Sequence, residues 1–149
     1  MTIAGSGLFV ATLRDVLDTT QLALDLDLET HKGALFSNTV TPDYTADTAY
    51  GVAPYNANEV TGTNWAAGGV ALTGTGLSAA AGVLTFDAAD VSVASTTLTG
   101  ARGYLLYADA LAGNNAILLV DFGADYSTVN GTFAIVWNAS GIFTIDLVP

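Results

Sequence analysis

The stretch "LTFDAADVSV", Leu84 to Val93, places Asp87 and Asp90 three residues apart in a chain that has few charged groups. Paired carboxylates do acid–base chemistry when held close, and a retaining glycosidase holds its pair roughly 5 Å apart. Aspartate is also a favoured turn former, and here one aspartate closes an apolar run while the other opens the next. No histidine is near in sequence, and no further acid adjoins the pair to raise one pKa. Asp87 and Asp90 therefore read as punctuation between strands. A second acidic set, Asp25, Asp27 and Glu29 in "LALDLDLETH", could gather a calcium ion with Asp43 or Asp47. On a strand the three acids would stand about 7 Å apart along one face, too far to share an ion alone. They also lack the glycine-bearing loop of an EF-hand. A solvated acidic face is the better reading, with calcium at a subunit interface left open.

His31 is the only histidine and there is no cysteine. A hydrolase nucleophile needs a base within reach, and neither a cysteine nor a Gly-x-Ser-x-Gly elbow is present. "GSGLF" at Gly5 lacks the Gly-Lys-Ser/Thr ending of a phosphate loop. Asn130 and Asn138 match the glycosylation pattern but sit among turn residues with no secretion signal before them. Catalytic, metal and cofactor assignments are all none, and the chain reads as a non-enzyme.

Charge narrows the partners. Arg14, Lys32 and Arg102 are the only cations against fourteen acids, for a net charge of −11. Three scattered cations cannot neutralise a run of phosphates, so nucleic acid is set aside. No apolar run approaches the ~20 residues of a membrane helix, and "MTIAGSGLFVATLRDV" has no positive n-region of a signal peptide. The expectation is synthesis in the cytosol without a targeting step. Only 11% of residues are charged, against ~25% in an ordinary soluble domain. The surface must be largely Thr, Ser, Asn, Ala and Gly, which suits contact with copies of the chain or a partner because few charges are desolvated.

The elements that position these groups follow from periodicity. Phe9, Leu13, Val16 and Leu17 share one helical face, with Ser6 as candidate N-cap. Leu22, Leu24, Leu26 and Leu28 alternate with polar or small residues, which predicts a half-buried strand. Residues 37–58 are loop-like and hold Tyr44, Tyr50 and Tyr55. These either offer contact surface or cap the open end of a sandwich. After Glu59 come eight short apolar runs: "EVTG", "GGVALTG", "GVLTFD", "VSVAST", "ARGYLLYAD", "NAILLVDFG", "GTFAIVWN" and "GIFTIDLVP". The last two predict a hairpin turning at Asn138–Gly141. Arg102 fits either a buried ion pair or a contact. The whole predicts one mostly β domain over 1–149, an antiparallel sandwich or small barrel of about eight strands with one N-terminal helix. Residues 1–57 supply the helix, acidic strand and tyrosine-rich loop, and 58–149 the β core.

The order "NEVTGTNWAAGGVALTG", "GVLTFDAADVSVASTTLTGARGYLLY" and "GTFAIVWNASGIFTIDL" resembles a family of small structural proteins of tailed bacteriophages, labelled capsid decoration, head-fibre or minor tail proteins. The resemblance runs from about Asn58 to Leu147. It implies a non-enzymatic virion protein made in the host cytoplasm, most simply a capsid decoration protein on the head exterior. A minor tail or tail-tip protein contacting tail proteins or host glycans is the alternative. Partners would be the major capsid protein or other virion proteins, with homo-oligomers, trimers included, expected. Tyr44, Tyr50, Tyr55 and Trp65 are the candidate contact residues. A glycan-binding or carbohydrate-active β-domain is the reading from another class.

Overall fold

Two long strands form the spine of the molecule. In the computed structural model, which describes residues 2–148, nine strands and one helix follow the order β1 (Gly7–Leu8), α1 (Val10–Leu17), β2 (His31–Phe36), β3 (Glu59–Val60), β4 (Val70–Leu72), β5 (Gly76–Ala80), β6 (Val83–Asp87), β7 (Val91–Tyr107), β8 (Ala116–Ile135) and β9 (Phe143–Asp146). β7 and β8 pair antiparallel along their lengths, well beyond the ~5–6 residues of a common strand. The sequence suggests two pairs of short strands here. The residues that look like breaks are bulges instead: Ser95, Gly100, Gly123 and Asn130 have positive φ, and the register slips between Val93 and Gly103. A bulge bends a strand without ending its pairing.

The large sheet runs β1-β8-β7-β2-β3, with β4 also on β2, and the small sheet runs β5-β6-β9. All pairings are antiparallel. The fold is mostly β, in keeping with a sandwich of about eight strands. The large sheet is buried on both faces. Leu35, Tyr104, Leu106 and Leu118 point to one core with Trp65, Phe86 and Phe133. Ala34, Phe36, Leu105 and Leu119 point to a second core with Ile3, Phe9 and Tyr55. Uninterrupted apolar runs such as "YLLY" and "AILLV" are what two buried faces require. The small sheet covers the first core and the loop 37–58, with Phe9 and its helix, covers the second. At the crossing of β2 and β7, Gly33 lies against the Tyr104 ring, where a Cβ would fall 1.7 Å from Cζ.

Three local expectations are corrected. The N-cap of the helix is Phe9, which makes no side-chain cap; Ser6 Oγ instead accepts the Asp121 N–H at 2.8 Å. Ala11 and Thr12 are its buried residues, whereas Leu17 is 86% exposed. Residues 22–29 form no strand. Asp25 Oδ1 accepts the N–H groups of Asp27 and Leu28, and Glu29 Oε2 accepts that of Asp25. Carboxylates that bond nearby backbone compete with a ladder, so the alternation yields a turn. The Asn138–Gly141 turn forms, with the Gly141 N–H on Asn138 O at 2.8 Å, but it joins two sheets rather than closing a hairpin. Gly141, at φ +101, directs the chain to β6, where the Ile142 N–H meets Phe86 O at 2.8 Å. β5, absent from the sequence reading, pairs with β6 through a two-residue turn with Ala81 at φ 50 and Gly82 at φ 81, the type I′ geometry of a tight hairpin.

Candidate functional site

The polar residues singled out from the sequence hold the fold together. Asp87 Oδ1 accepts the N–H of Ala88 at 2.9 Å. Asp90 Oδ1 accepts the Trp137 N–H at 2.9 Å, while the Trp137 indole donates to Ala89 O at 3.1 Å. The pair thus organises a loop that clamps the end of β8. His31 is buried edge-on to Phe86 with Nε2 3.2 Å from Leu26 O. Arg102 is an ion-pair residue, 2.7 Å from Asp121 and 3.8 Å from Asp125. Burial works to raise the Asp121 carboxyl, but the Gly123 N–H and the Arg102 guanidinium outweigh it and hold the group below its ordinary value. Lys32 pairs with Asp109 at 3.1 Å. Asp25 and Asp27 share a hydrogen bond, which lowers the pKa of Asp25 and raises that of Asp27. Among the described residues no three metal-ligating side chains converge.

Two of the four proposed contact residues, Tyr55 and Trp65, lie in the core, and Tyr44 and Tyr50 are half-buried. Trp65 is fully buried, edge-on to Phe133 at 5.5 Å. Tyr55 is 2% exposed between Phe9 and Phe36. Tyr44 is half-buried beside Phe9 and donates to Gly5 O. Tyr50 stacks on Tyr107 at 4.5 Å and donates to Glu59 Oε2 at 2.9 Å; Glu59 Oε1 accepts the Gly68 N–H. Burial, then the Glu59 hydrogen bond and charge, push the Tyr50 phenol up to about 12. The loop tyrosines therefore cover one face of the large sheet, and Tyr55 and Trp65 are closed to any partner.

The open surface lies elsewhere. β8 curls on itself, so that Val120 and Phe122 near one end face Ile135 and Trp137 at the other across a groove of about 560 Å³. Even-numbered residues point inward at Leu118, Val120 and Phe122, but odd-numbered ones do so at Phe133, Ile135 and Trp137. Gly123 and Asn130, both at positive φ, are the bends between these phases. Tyr126, 52% exposed and edge-on to Phe122 at 6.0 Å, forms one wall. Past Val120 and Trp137 a second hollow of about 330 Å³ continues between Leu8 of β1 and Phe143 of β9. The lining of both hollows carries no charged side chain. Sequence reasoning missed this surface, although "FGADYSTVNGTF" carries the two bend signals. Comparison with family models, curated proteins and solved structures finds no match.

The groove offers aromatic faces, aliphatic side chains, the Tyr126 phenol and the hydroxyls of Ser127, Thr128 and Thr132. Two of these hydroxyls are already engaged, Ser127 Oγ by the Gly100 N–H and Thr128 Oγ1 by the Leu98 N–H.

Proposed function

We propose that this chain is a non-enzymatic structural protein of a tailed-phage virion, most simply a decoration protein that adheres to the outside of the capsid. The observation that carries the reading is the pair of adjoining uncharged hollows, the larger along β8, on a chain of net charge −11. Apolar surface without charged residues is what an adhesive contact buries, because little desolvation of charge opposes association. Binding to assembled particles but not to separated subunits stabilises the particle by mass action. The resemblance of residues 58–147 to phage structural proteins supports the same reading.

The aromatic lining favours a second reading. Phe122, Tyr126 and Trp137 along one groove suit a tail or tail-tip protein that stacks on sugar rings. The two readings separate in one experiment on gradient-purified, salt-washed particles. Recovery of the chain in constant copy number with heads supports decoration, recovery with isolated tails supports the second reading, and absence from washed particles contradicts both.

A further inference from the structure

We propose that the chain self-associates as a two-fold dimer by antiparallel pairing of β5 with β5 of a second copy. The proposal does not depend on where the protein acts. β5, "GLSAA", is a free edge of the small sheet: its pairing in the structure is with β6. Natural edges are usually blunted by a charge, a proline or a bulge, and β5 has none of these.

The direction of its backbone groups can be read from the register. Phe86 O and Gly82 O bond to β9 and its continuation through the Ile142 and Leu147 N–H groups. Residues 82, 84 and 86 therefore turn their backbone toward β9, and Val83 and Thr85 toward β5. In register, Ala80 faces Val83 and Ser78 faces Thr85, so the N–H and C=O groups of Leu77 and Ala79 point outward from the edge. A two-fold axis at Ser78 sets Leu77 against Ala79 of the second copy, and Ala79 against its Leu77.

Side chains support the same partner. Leu77, Phe86 and Phe143 form one cross-strand row on the inner face, and Ala79, Leu84 and Ile145 the next. Phe86 is fully buried in the first core, whereas Leu77 is 41% exposed and Ala79 is exposed. Pairing prolongs both rows into the second copy and places a large side chain beside a small one. The nearest carboxylates, Asp87 and Asp146, alternate to the opposite face. Charge decides for a second copy: the edge has no carboxylate to attract a basic partner, and it is where two chains of −11 meet without opposing acids. Three strands become six, within the common range for a sheet.

Sedimentation equilibrium of the full chain over a wide concentration range tests this. The expected result is an apparent mass rising from one chain to two for the wild type, and one chain throughout for Ala79→Pro, which removes an outward N–H, and for Ala79→Lys. The lysine variant is the sharper probe. It lowers net charge and so eases long-range repulsion, yet it places a charge in the apolar row and should still abolish the dimer. A monomeric wild type, or dimers that persist in both variants, overturns the proposal. Should either variant unfold, hydrogen exchange on the wild type decides. Protection of the Leu77 and Ala79 amides that grows with protein concentration is expected, and concentration-independent exchange overturns it.

Discussion

Replacing Trp65 by alanine separates a core residue from a contact residue. The side chain has no exposed surface and lies edge-on to Phe133 at 5.5 Å. A buried aromatic of this size removes roughly 150–250 Å² from water. At about 25 cal/mol/Å² that is about 4–6 kcal/mol. A compact denatured state lowers the figure by roughly 10–40%, leaving about 3–5 kcal/mol, the usual cost of truncating a core aromatic to alanine. With a urea m-value of about 2 kcal/mol/M, the unfolding midpoint by circular dichroism should fall by about 2 M. Trp65→Phe should cost clearly less than Trp65→Ala, since it keeps a ring against Phe133 and leaves a smaller cavity. It also removes an indole N–H that has no partner among the described residues. An exposed contact residue behaves differently, its loss shifting stability by no more than about 0.5 kcal/mol. A Trp65→Ala midpoint near the wild type would refute the packing argument.

Three further outcomes are expected. Gly33→Ala places a Cβ 1.7 Å from the Tyr104 ring and should destabilise by about 3 kcal/mol or more, with Tyr104→Leu restoring part of the loss in the double variant; thermal unfolding measures both. Asp87→Asn/Asp90→Asn should keep its fold and any particle association, losing about 1–2 kcal/mol from weakened loop bonds; loss of association with stability intact would show that the pair does more than shape the loop. At alkaline pH the folded Tyr50 keeps its proton up to about 12 whereas the unfolded phenol ionises near 10.0. The folded state therefore holds the proton more tightly, and Tyr50's contribution is full below pH 10 and falls as pH rises from there to about 12. Tyr50→Phe should flatten that part of the stability–pH curve, and an unchanged slope would contradict the assignment.

The β character, the single N-terminal helix and most turn positions were legible, because alternation and Gly-Gly or Asn-rich breaks are local signals. Strand continuity was not. Gly100, Gly123 and Asn130 look like turn residues in sequence, and only the ladder on the partner strand shows that they bend a strand without ending it. The leucines at 22, 24, 26 and 28 met the period-two rule, yet Asp25 captured two N–H groups that a strand would have offered a neighbour. β9 is held on β6 by links distant in sequence, the Asp90–Trp137 bond across 47 residues and the Ile142 N–H on Phe86 O, which no local pattern shows.

The burial of Tyr55 and Trp65 escaped the sequence reading for a related reason. Tyrosines in a polar loop resemble contact residues until the sheet beneath them is known to need cover on its second face. "YLLY" and "AILLV" carried that signal, since successive apolar residues leave neither face of a strand for solvent. The groove itself depends on β8 folding back over more than a dozen residues, a property of bulge geometry and not of any short motif.

Immunogold electron microscopy of intact phage particles, with antibody against this chain, tests the central claim most directly. Label over the head is the result expected of a decoration protein. Label at the tail would transfer the role to tail assembly or host adhesion, and unlabelled particles in a lysate rich in the protein would contradict a virion role altogether.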